Sequence, residues 1–136
     1  MLANKNLILI ITFILFSCKS ICQDTNNKND LFSVNIGNYK DSILSINQIT
    51  STPHLNICYN SDNKIEYQVI RFNLTIIDIQ TKKETRFNNT FGNKLTDKQI
   101  NVIEKLSSGS KLIFNDVKFI CNECATLSIK FKVIIK

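Results

Sequence analysis

Tryptophan is absent from the 136 residues, histidine occurs once and glycine three times, and each scarcity closes off a class of chemistry. Metal sites built on imidazole use two or three histidines. His54 stands alone, so a zinc enzyme would have to rely on cysteine, and a surface position beside Pro53 at a strand entry is the plainer expectation. Loops that wrap a cofactor phosphate are rich in glycine, and the three glycines form neither a phosphate loop nor a G-x-S-x-G nucleophile elbow. The 11 acidic residues fall singly, with no spacing that pairs two carboxylates on one strand face. No catalytic residue, no cofactor and no metal site is expected, and an enzyme is disfavoured.

The basic residues are also scattered. Nucleic-acid recognition wants a basic stripe interleaved with stacking aromatics. Neither is visible, so nucleic acid is not an expected partner and the charge of +6 reads as solvated surface.

What the chain does have begins at its start. Lys5 is followed by an apolar run over residues 7–16, interrupted only by Thr12, and then by Ser17-Cys18-Lys19-Ser20-Ile21-Cys22. A charged start, a short apolar stretch and a small-residue tail form a signal segment, expected over residues 1–22. A spanning helix needs about 20 apolar residues, and Lys19 ends this run too early. Two cleavage positions compete. Leu15-Phe16-Ser17-Cys18 resembles the lipobox of bacterial lipoproteins, which makes Cys18 the lipidation candidate and a lipid anchor the one expected membrane contact. Ser20-Ile21-Cys22 suits cleavage after Cys22 by ordinary signal peptidase. Either position takes the chain out of the cytoplasm, to the periplasm or cell envelope. Losing residues 1–22 removes two basic residues, Lys5 and Lys19, and no acidic one, so the charge falls from +6 to +4.

Residues 23–30 (QDTNNKND) contain no apolar side chain and read as a flexible tether. The remaining residues, 31–136, are enough for one domain. Period-2 alternation marks strands at residues 32–36, 55–59, 66–79, 111–119 and 126–136. Residues 43–49 are ambiguous between a strand and a short helical turn. In 66–79 the expected inner face is Ile70, Phe72, Leu74 and Ile76, with the pairs Val69-Ile70 and Ile76-Ile77 marking a bulge or burial on both faces. Residues 80–94 read as a polar connection. Thr96-Asp97-Lys98-Gln99 forms a capping box ahead of Ile100, Ile103 and Leu106, which predicts one short helix over about 96–107. The fold class is mainly β, one Ig-like or β-sandwich-type domain with that single helix.

Five cysteines remain to be placed. Cys121-Asn122-Glu123-Cys124 lies between two strands, whereas a redox C-x-x-C starts a helix. A disulfide between Cys121 and Cys124 closing a hairpin tip suits an oxidising compartment, and so short a loop contributes only about 1–2 kcal/mol. Free thiols remain open at these positions. So does a small exported redox or metal-binding protein that uses the Cys121/Cys124 pair with Cys58, Cys22 or His54 as further ligands. Cys58 reads as a small buried hydrophobe. Asn73-Leu74-Thr75 and Asn88-Asn89-Thr90 match the N-glycosylation pattern, which has meaning only in a eukaryotic secretory route.

The order of the pieces adds a resemblance. Phe32-Ser-Val-Asn-Ile36, Ile43-Leu-Ser-Ile-Asn-Gln-Ile49 and Val69-Ile-Arg-Phe-Asn-Leu74 are followed by Leu95-Thr96-Asp-Lys-Gln-Ile100. Then come Leu106-Ser-Ser-Gly-Ser-Lys-Leu-Ile-Phe-Asn-Asp116 and Leu127-Ser-Ile-Lys-Phe131. Over residues 31–136 this resembles the C-terminal domain of GldM, a gliding-motility protein of the Bacteroidetes. The resemblance implies a β-sandwich interaction module in the periplasm, tied to gliding motility or type IX secretion and meeting an envelope protein partner. It carries over no catalytic residue. The transmembrane helix and preceding domains of the motor subunit are missing from these residues, so a small stand-alone exported protein is expected. Pairing of the domain with itself stays open. Strands 66–79 and 126–136 are the expected binding edges, should either lie at the margin of a sheet.

Overall fold

A computed structural model of the chain describes residues 32–59, 67–121 and 126–136. The signal segment with Cys18 and Cys22, the tether and the turn at 61–64 lie outside the described residues. So do Cys124 and the side chain of Cys121.

Among the described residues, seven strands and two short helices follow one another as β1 (Phe32–Ile36), β2 (Ile43–Leu44), α1 (Ile46–Ser51), β3 (Leu55–Tyr59), β4 (Tyr67–Ile77), β5 (Glu84–Phe91), α2 (Asp97–Ile103), β6 (Lys111–Cys121) and β7 (Leu127–Ile135). The expected class holds: the molecule is mainly β, with two sheets stacked in a sandwich-like arrangement. One sheet is the antiparallel pair β1–β3. The other has five strands in the order β2-β7-β6-β4-β5, all antiparallel except β2, which runs parallel to β7.

The core is the inner face of the larger sheet. Alternation along β7 buries Ile129, Val133 and Ile135, and along β6 it buries Leu112 and Phe114. Phe131 stacks on Phe114 with ring centroids 4.4 Å apart, and Phe72 leans on Phe114 at 5.8 Å. The smaller sheet covers this face with Ile36, Leu55 and Ile57. At one end Phe32 touches Tyr59 on its own sheet, and both Tyr67 and Phe119 across the layer gap, with centroids 5.1–5.4 Å apart. Edge-on aromatic contacts of this kind add about 0.5–1.5 kcal/mol each beyond area burial.

Helix α2 is shorter than the predicted 96–107, because Glu104 closes it and residues 104–110 turn back towards β6. Its capping box is present, with the Thr96 side chain accepting from Gln99 and Gln99 accepting from the Thr96 N–H at 2.8 Å. Gln99 is wholly buried, and its Nε2 donates to Thr90 Oγ1 at 2.7 Å, which ties the helix to β5. The expectation of a single helix is corrected by α1. Residues 43–49 are part strand and part helix, because Ser45-Ile46-Asn47-Gln48 forms a second capping box. Pro53 prevents α1 from running on, since a residue before proline is driven out of the helical region. Gly37 turns β1 towards β2 at φ +57, and any side chain there would collide with Thr52.

Two further expectations are corrected. Residues 80–94 are not a connection: β5 pairs with β4 from Glu84 to Phe91. Its inward residues Thr85, Phe87 and Thr90 include only one large apolar side chain, so the alternation was hard to read. Along β4 the core takes Val69 in place of Ile70, which is 37% exposed, because a bulge at Ile70 changes the phase of the strand.

Truncation of Phe114, buried between Phe72 and Phe131, is expected to cost about 3–5 kcal/mol of unfolding free energy. Phe91→Ala, at a side chain that is 78% exposed, should stay within about 0.5 kcal/mol of the parent. Urea denaturation of the two variants checks both values.

Candidate interaction surface

Three strands change phase at one level. Relative to its neighbours, β4 gains a residue at Ile70, β5 gains one at Asn88-Asn89 and β6 gains one at Asn115-Asp116. Asn89 and Asp116 take positive φ, 54° and 49°, a region that their short polar side chains tolerate better than most. Arg71 stands between them on the outer face. Its Nη1 donates to Asn89 Oδ1 at 2.6 Å and its Nη2 to Asp116 Oδ2 at 3.3 Å. The other oxygen of Asp116 accepts from Ser128 on β7 at 2.7 Å, and Asn73 Oδ1 accepts the Asn89 N–H at 2.7 Å. A polar chain thus crosses β5, β4, β6 and β7.

Around it the outer face is basic. Alternation and register place Arg71, Arg86, Lys111, Lys118, Lys130 and Lys132 on this face, with Glu84 and Asp116 as its carboxylates. Both acids are taken, Asp116 by Arg71 and Glu84 by Arg86. The hydrogen bond and charge of Glu84 raise the Arg86 pKa. Among the described residues the four lysines have no ion-pair partner. Basic residues that are scattered in sequence are gathered here by the pleat.

Beside this face runs an open strand edge. β7 pairs with β6 along its length, but on its other side, among the described residues, it meets only β2, at Ile134 and Ile135. From there the edge of β7 looks across to β1 over a groove of about 220 Å³, lined by Phe32, Val34, Lys40, Asp41, Phe131 and Lys132 among others. Of the two expected binding edges, the 126–136 strand is at the margin over the part that the two-residue β2 does not cover, among the described residues. The 66–79 strand is not, since β4 lies between β6 and β5.

The remaining candidates are dispersed. His54 is exposed and its backbone bridges Lys94. Cys58 is free and half-buried, accepting from Asn35 Nδ2 at 3.1 Å. The lipidation candidate Cys18 and the Cys121–Cys124 pair cannot be placed, since their side chains lie outside the described residues. No group of three His, Cys, Asp or Glu suited to a metal occurs among the described residues, and none of their helices is long and apolar enough to cross a membrane. Sequence reasoning missed Arg71. The only local signal was the Val69-Ile70 doublet that places a bulge next to it. No family model and no curated protein matches the chain.

Asp116→Val is expected to destabilise the domain by about 2 kcal/mol, combining loss of the Arg71 and Ser128 contacts with a positive φ that a β-branched residue resists. Asp116→Asn, which keeps that backbone conformation, should cost about 1 kcal/mol or less. Thermal unfolding of the two variants side by side tests the difference.

Proposed function

We propose that this chain is a non-enzymatic interaction module of the cell envelope that binds another protein through the margin of its larger sheet. The observation that carries this reading is the edge of β7, which among the described residues is unpaired over 127–133 and is set beside a groove and a basic face. Exposed strand edges are ordinarily covered, shortened or paired, because their free N–H and C=O groups recruit other chains.

The signal pattern of residues 1–22 supports export to the periplasm or envelope, with Cys18 as a lipid anchor point. The resemblance to the C-terminal domain of GldM supports a place in gliding motility or type IX secretion. It also supports partners among the envelope proteins of those systems.

Affinity purification of the tagged chain from crosslinked host envelopes, with partners read by mass spectrometry, tests this reading. Secretion or gliding components should be enriched, and the enrichment should fall when strand 126–136 is altered. Clean recovery of nothing by a folded and correctly exported chain would overturn it.

A further inference from the structure

Resting on the reading as an interaction module, we propose that the free edge of β7 accepts an extended, acidic segment of the partner protein as an added strand beside Lys130 and Lys132.

The backbone is set for it. The Ile134 N–H donates to Ser42 O at 2.8 Å and that of Lys136 to Leu44 O at 3.0 Å, on the β2 side. The N–H of Ile135 donates the other way, to Ser110 O at 2.9 Å. In an extended strand the N–H and C=O of one residue face the same side, and successive residues alternate. β7 keeps its alternation from Leu127 to Ile135, since the extra residue of the nearby bulge belongs to β6. The backbone groups of Ser128, Lys130 and Lys132 therefore face the side of Ile134, where β2 is not present to meet them. An added strand would continue the line of β2.

The groove supplies apolar seats for every second side chain of such a strand: Phe32 and Val34 on one wall, Phe131 and Val133 on the other. The intervening side chains would stand on the outer face, beside Lys130 and Lys132 and near Lys118 and Lys111 on β6. Those four lysines have no carboxylate partner among the described residues: Glu84 and Asp116 are both held by arginines, and Asp41, which lines the groove beside Lys40, forms no salt bridge with them. This charge selects the occupant. A second copy of the chain would bring lysine against lysine, which opposes pairing. An anionic membrane would use the lysine side chains but leave the backbone edge unmet.

Fluorescence anisotropy tests this with the full chain and a labelled peptide of about eight residues alternating valine and glutamate. The peptide should bind, more weakly as salt is raised, and its valine–lysine counterpart should not. Lys130→Pro deletes an N–H on the free edge and no bond of the β6–β7 ladder, a position where proline is tolerated. Circular dichroism should therefore stay native while affinity falls about tenfold. Lys130→Glu with Lys132→Glu, at two exposed positions, should abolish binding of the valine–glutamate peptide and admit the valine–lysine one. That double variant decides alone if the proline variant does not fold. Equal binding of the acidic peptide by parent and variants overturns the proposal. So does binding of phosphatidylglycerol vesicles in place of the peptide. The two readings fail separately: an envelope partner recovered equally by parent and variants sinks strand addition alone. Recovery of no partner sinks the interaction module and this proposal with it.

Discussion

The Arg71 guanidinium, fixed between Asn89 and Asp116, marks the constraint on which the sheet depends: three neighbouring strands must change phase at the same level. A strand alternates strictly, so one added residue exchanges its two faces. Before its bulge β4 buries Val69, and after it Phe72, Leu74 and Ile76. Without the extra residue the set that begins at Val69 would continue through Arg71 and Asn73, and the three large side chains would face water. Each is worth about 1.5–3 kcal/mol when buried. A residue held at positive φ costs about 1–3 kcal/mol, less for Asn and Asp, so the bulges are favourable on balance. The hydrogen bonds of Arg71 offset part of what remains. They contribute modestly in themselves, since both Arg71 and Asp116 are about a third exposed.

The same belt separates two jobs of the larger sheet. Its inner face is committed to the aromatic stack of Phe72, Phe114 and Phe131 and to the cover provided by β1, β3 and the helices. Its outer face carries no second layer among the described residues, so the lysines of β6 and β7 remain in solvent. Shortness of β2 completes the picture. Two residues satisfy β7 only at its end, and Ser45 then turns the chain into α1. A longer β2 would have sealed the groove beside β1.

Much of this was legible before any coordinates. The strands at Phe32–Ile36 and Leu55–Tyr59, the inner face of β7 and the Thr96–Gln99 cap follow from alternation and capping chemistry, which act within a few residues. α1 carried the same capping signal at Ser45 and Gln48, hidden among β-branched neighbours that also suit a strand. β5 was unreadable because its inward positions are mostly threonine and its burial comes from Gln99 of a helix later in the chain.

The sequence by itself determined the class of the fold, the positions of most strands and the bulge at Val69-Ile70, while Ile76-Ile77 pairs in unbroken register, because local pattern decides which residues seek the core. Tertiary structure alone decided that β4 is interior and β7 marginal, that Arg71 bridges two bulges, and that scattered lysines share one face. Each of these depends on which strands become neighbours. Strand order is set by packing between segments far apart in the chain, and period-2 alternation carries no record of it.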